Sequence, residues 1–218
     1  MQGEPCRNLQ HHINLKVPMK HFKKEDTIIL LIDHQVGTIT MAANRPKEMI
    51  ISRAKALAKI ARALNIPIVL TTSMEDQMQG QTLPELQEIL PEEYANRVKR
   101  TGITNAWDDK NYKAAVLKAA GGRKNVIMAG LTNDVCIVYP SISMVEEGFD
   151  VQVVIDAGGS PTEIADDVAR TTWEKFGVRT NVINQLVAEL TDRWESEDGG
   201  KLLKILLEDI IPTFGQFK

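Results

Sequence analysis

The chain has 218 residues, 43% of them hydrophobic and 25% charged, with a net charge of −3. That length suits one large domain with room for a sizeable core, and the near-neutral charge gives no general attraction to nucleic acid or to an anionic membrane. Two cysteines, Cys6 and Cys136, cannot make a disulfide framework, no apolar run has the length of a membrane span, and the first twenty residues lack the apolar core of a signal peptide. A soluble, cytoplasmic protein is expected, with residues 1–22 a polar extension and residues 23–218 a single domain.

Residues 27–32 (Thr-Ile-Ile-Leu-Leu-Ile) read as a strand buried on both faces. Residues 46–64 then place Ile50, Ala54, Leu57, Ala58, Ala61 and Leu64 at helical spacing. A second strand is expected over 66–71, a short amphipathic piece over 85–90, and a more exposed third strand over 94–100. A helix over 111–120 closes with Gly121-Gly122. Val126 to Ala129 form the next strand, and its helix runs over 135–147, stopped by Gly148. A fifth strand covers 151–155. Ser160-Pro161-Thr162-Glu163 reads as a helix start, with Ser160 as cap and Pro161 at the first position, running to about Phe176. A last strand over 177–181 and helical segments over 186–190 and 202–210 follow, and residues 194–201 read as a loop. Strands alternating with helices imply an α/β fold: a doubly wound, Rossmann-like parallel sheet with helices on both faces.

In such a sheet, ligands gather beyond the carboxyl ends of the strands. There the sequence places Asp33-His34-Gln35, then Lys99 and Arg100 ahead of Asn105-Ala106-Trp107, then Leu131-Thr132-Asn133-Asp134-Val135-Cys136. An acid, a cation and a thiol share one mouth. A carboxylate can take the thiol proton, and a cation can hold the pair. Thr132 and Asn133 offer N-cap chemistry, and a thiol in the first helical turn meets free amides and a positive dipole end. Cys136 is therefore expected to be a reactive thiolate at neutral pH. Each residue alone has a plainer reading: a small core cysteine, a loop-capping aspartate, a solvated surface cation.

These residues resemble the isochorismatase-like cysteine hydrolases, and within them the YcaC-like branch. The shared segments are Asp33-His34-Gln35, Asn105-Ala106-Trp107-Asp108, Ala129 to Cys136 and Glu146 to Val151, within a likeness that spans 23–194. The resemblance implies a catalytic triad of Asp33, a basic residue and Cys136, acting on a small amide or a related C–N or vinyl-ether bond through a covalent cysteine intermediate. Spacing from Asn105-Ala106-Trp107 favours Arg100 over the adjacent Lys99 as the basic member. Most of the family carries lysine there, and an arginine acts only electrostatically. The resemblance also implies a cis peptide joining Leu131 to Thr132, serving an oxyanion site with the Thr132 and Cys136 amides, and a homo-oligomer, an octamer of stacked rings. Apolar residues in the tail (Leu202, Leu203, Ile205, Leu206, Leu207, Ile210, Ile211) suit burial against another subunit or against the chain's own sheet.

Gln35, Asn105 and Trp107, with Tyr139, are candidates to line a substrate pocket. No metal or cofactor is expected. The Asp-x-His of nicotinamidases would follow the second strand, where this chain has Thr72-Ser73-Met74-Glu75-Asp76. No glycine-rich fingerprint follows the first strand, and Ser160 lacks a nucleophile-elbow context. A second function class is a non-catalytic, ligand-sensing protein that keeps the fold. A thiol-redox role is disfavoured, since no resolving cysteine lies near Cys136.

Overall fold

The computed structural model describes residues 21–211. Most of the expected N-terminal extension lies outside them, together with Cys6, His11 and His12. Six strands form one parallel sheet: β1 (Thr27–Ile32), β2 (Ile68–Ser73), β3 (Val98–Arg100), β4 (Asn125–Gly130), β5 (Asp150–Val154) and β6 (Arg179–Asn181). Their spatial order is β3-β2-β1-β4-β5-β6. The chain reverses its direction of winding between β1 and β4, which opens a crevice at their carboxyl ends.

The helices are α1 (Lys47–Leu64), α2 (Pro84–Ile89), α3 (Pro91–Ala95), α4 (Lys110–Ala120), α5 (Val138–Glu146), α6 (Glu163–Lys175), α7 (Ile183–Thr191) and α8 (Glu197–Ile205). Successive side chains of β1 point to opposite faces, so both faces need a cover. Ile29 and Leu31 pack into a core with Leu57 and Ile60 of α1, Leu186 of α7 and Leu202 of α8. Ile28, Leu30 and Ile32 pack with Tyr112 and Val116 of α4, Met144 of α5 and Trp173 of α6. This is the doubly wound α/β arrangement expected from the sequence. No helix among the described residues is long and apolar enough to cross a membrane.

Three local expectations need correction. The third strand is shorter than 94–100: Tyr94 belongs to α3, and its ring lies under the Arg97 guanidinium at 4.0 Å. Residues 194–201 are not all loop, because Ser196 caps α8 by accepting from the Gly199 amide at 3.0 Å. Ser160 does not cap α6. Thr162 does, accepting from the Ala165 amide at 3.1 Å, while Ser160 is drawn inward to donate to buried Asp166 at 2.9 Å. Of the two alternatives for the apolar tail residues, the chain itself covers Leu202, Ile205 and Leu206, and Lys59 of α1 holds Asp209 at 2.5 Å, while Leu203 is exposed.

Candidate active site

Three strand ends meet at the crevice. Asp33 directly follows β1 with a left-handed backbone, φ +57°, which aspartate tolerates better than most residues. Its amide donates to the Thr71 carbonyl of β2 at 3.0 Å. That turn aims the carboxylate across the sheet at Arg100, the last residue of β3.

Arg100 is 3% exposed. Its Nη2 donates to the Asp33 carboxylate at 2.5 Å, its Nε to Thr71 Oγ1 at 3.0 Å, and its Nη1 to the Ile103 carbonyl at 2.9 Å. Strand alternation sends Lys99 the other way. Its side chain is 56% exposed and pairs with Glu75 at 2.6 Å. The structure thus brings Arg100, and not Lys99, against Asp33.

Cys136 arrives from the end of β4. Gly130 lets the ends of β1 and β4 approach closely there, because a Cβ at that position would stand 2.1 Å from the Ile32 carbonyl oxygen. The Leu131–Thr132 peptide bond is cis. A π-type turn, Asn133–Ile137, then leads into α5. Asn133 does not cap that turn with its side chain. Its amide donates to the Gly159 carbonyl at 2.9 Å, and its Nδ2 to Asp166 Oδ1 at 2.9 Å. The Cys136 thiol, half-buried, hydrogen-bonds the Asp33 carboxylate, and the Thr132 backbone amide bonds the sulfur.

The electrostatics reverse one expectation. Burial, with the Asp33 carboxylate beside it, pushes the Cys136 thiol up to about 12, and the Thr132 amide and Arg100 only partly oppose this. The resting group is a thiol donating to Asp33, not a free thiolate. Arg100 favours the thiolate only in part, because its charge is already matched by Asp33. Burial also pushes the Asp33 carboxyl up, with Arg100 and the thiol pulling the other way. A carboxylate made more basic by burial is better suited to accept a thiol proton than one drawn far down by its cation.

The three residues expected to line a pocket are committed elsewhere. Gln35 is fully buried and ties the β2 end in place, accepting from the Ser73 amide at 2.9 Å and donating to the Ser73 carbonyl at 2.9 Å. Asn105 accepts from the Trp107 amide at 3.1 Å and donates to Ser143 Oγ at 3.0 Å. Trp107 is buried edge-on against Phe149, with ring centroids 5.7 Å apart. Tyr139, by contrast, is exposed. His34 is buried and faces away, with Nε2 against the Ala157 carbonyl at 2.7 Å.

Beyond β2, Glu75 accepts from Thr72 at 2.8 Å and from both Arg97 and Lys99, and these partners hold its carboxyl down at about 2 although burial opposes them. Its oxygens are occupied by the chain's own cations, and no group of three or more potential metal-ligating side chains occurs among the described residues. Dialysis against a chelator is accordingly expected to leave turnover unchanged. Loss of activity that zinc or iron restores would count against that.

Fold and site together define a doubly wound α/β protein with an acid, a cation and a thiol at the switch point of the sheet. The isochorismatase domain model matches residues 27–183, and the chain belongs to that family. It is 33% identical to the probable hydrolase YcaC of Escherichia coli K12, over 90% of this chain and 92% of that protein. The structure of the Escherichia coli YcaC gene product, described as an octameric hydrolase of unknown specificity, superposes with a TM-score of 0.83, covering 89% of this chain and 93% of that one. YcaC from Pseudomonas aeruginosa, solved with hexane-2,5-diol and covalent acrylamide, gives a TM-score of 0.82 at 35% identity, over 88% and 93% of the two chains.

Proposed function

We propose that this isochorismatase-family hydrolase cleaves a small amide through Cys136. The observation that carries the reading is the contact of the thiol with a buried carboxylate that is itself held by a fully engaged arginine. Asp33 takes the thiol proton as the sulfur attacks the carbonyl carbon, so no standing thiolate is required. The Thr132 and Cys136 backbone amides stabilise the oxyanion. The C–N bond then breaks, and Asp33 returns the proton to the departing nitrogen. A water molecule gives a proton to Asp33 and attacks the thioester, which releases the acid and restores the thiol. Arg100 keeps its charge throughout and holds Asp33 in place. Covalent acrylamide in the Pseudomonas aeruginosa relative supports a nucleophile of this kind.

The test is ammonia release from a panel of small amides, joined to mass spectrometry of acid-quenched enzyme. Turnover with an acyl adduct on the Cys136 peptide is expected. Ammonia release that persists in Cys136→Ala overturns the reading.

The octameric Escherichia coli relative suggests the same assembly here. Light scattering on the eluted peak at micromolar concentration is expected to give a mass well above a dimer, and a clean monomer counts against it.

A further inference from the structure

The cations around Cys136 are engaged within the chain, and this constrains what can bind. Each arm of Arg100 has a partner: the Asp33 carboxylate, the Thr71 hydroxyl and the Ile103 carbonyl. Lys99 points away to Glu75, which it shares with Arg97. His34 is uncharged in its buried place, with its Nε2–H on the Ala157 carbonyl. Asp33 and Arg100 cancel, and Asp134, two residues before the thiol, adds a carboxylate rather than a cation.

The same loops also expose apolar side chains. Val36 lies three residues after Asp33, Val135 directly precedes Cys136, and Tyr139 stands one helical turn beyond it, all of them partly open to solvent. Ile103 is 41% exposed, and its carbonyl is the one that holds Arg100. A carboxylate-bearing ligand entering this mouth loses its hydration and meets no unmatched cation, whereas a neutral amide needs only hydrogen bonds.

Building on the cysteine-hydrolase reading, we propose that the site selects an uncharged small amide with an apolar substituent and rejects anionic analogues of the same size. The selection arises because Arg100 is fully engaged within the chain and the mouth offers no free cation.

Two alkylating reagents of similar size test this: neutral iodoacetamide and anionic iodoacetate. Second-order rates at Cys136 are measured by peptide mapping on the full chain, each divided by the rate with free cysteine in the same buffer. The thiolate fraction of Cys136 cancels between reagents, so a slow thiol does not obscure the comparison. The normalised rate for iodoacetamide is expected to exceed that for iodoacetate by about tenfold or more. Equal normalised rates, or preference for iodoacetate, overturn the proposal. Tyr139→Arg supplies the missing cation at the mouth and is expected to raise the iodoacetate rate relative to iodoacetamide. No change in that ratio also counts against it. Failure of the hydrolase reading has a separate signature, since it would show as ammonia release that persists in Cys136→Ala whatever the charge preference.

Discussion

Arg100→Ala is expected to lower kcat/KM by about a hundredfold or more and to destabilise the fold by about 3–5 kcal/mol, the usual consequence of leaving one member of a buried pair alone. The side chains of Asp33 and Arg100 are both 1% exposed. Without the guanidinium, the Asp33 carboxylate has no counter-charge, and burial then drives its carboxyl further up. A protonated Asp33 cannot accept the Cys136 proton. The residual activity of Arg100→Ala should therefore reach half its maximum at higher pH than the wild type, which a purely structural loss would not produce. Lys99→Ala is expected to stay within about 1 kcal/mol and to retain activity, because Lys99 is largely solvated and Arg97 still engages Glu75. Urea denaturation and steady-state kinetics on the two variants decide the matter. Severe loss in Lys99→Ala with a mild Arg100→Ala would assign the cation to the lysine.

The alternation that separates these neighbours was legible in the sequence, since adjacent residues of a strand face opposite sides. So was a doubly wound parallel sheet with helices on both faces. The run at β1 is apolar without interruption, and only a strand covered on both faces asks for that. Asp33, Arg100 and Cys136 could be placed at one mouth because a parallel sheet delivers all its strand ends to the same side. What sequence could not supply was side-chain direction within the loops. Gln35, Asn105 and Trp107 sit close to the mouth in sequence, yet each turns inward to satisfy backbone groups or to fill the core. Ser160 and Thr162 both have the chemistry of a cap. The choice between them falls to buried Asp166, which needs the Ser160 hydroxyl along with Arg45, Arg170 and Asn133.

Thr71, the Ile103 carbonyl and the Asn133–Asp166 contact were not singled out by the sequence. A threonine at the end of a strand and a backbone carbonyl carry no distinguishing pattern, and their meaning appears only when Arg100 reaches them. The thiol was misread for a related reason. A helix terminus and a nearby cation both lower a thiol pKa, but the cation here is already matched by Asp33, and Asp33 is the thiol's own partner. Local motif chemistry left out the burial and the neighbouring carboxylate that raise the thiol.

Stability should also fall as the pH drops through the range in which His34 is forced to ionise. His34 is 2% exposed, and burial holds its imidazole down at about 4, with only the Ala157 carbonyl favouring the charged form. In the unfolded chain a histidine titrates near about 6.5. Between those values the unfolded state binds more protons than the folded one, so stability rises with pH across that window. The sign follows from a depressed histidine. Its neutral form is the one the fold accepts, so nothing is lost above about 6.5, and the full loss of about 3 kcal/mol is reached below about 4. Glu75, held down at about 2, acts in a lower window, where its ion pairs are lost as its carboxylate is protonated. The buried carboxyls of Asp33 and Asp156 are both pushed up and run in the opposite direction. Comparison with His34→Gln cancels those contributions, because an amide Nε2–H can still donate to the Ala157 carbonyl and does not titrate. Urea midpoints measured from pH 7.5 to pH 4.5 are expected to fall faster for the wild type than for His34→Gln. Parallel slopes for the two proteins would mean that His34 does not control acid stability in this fold.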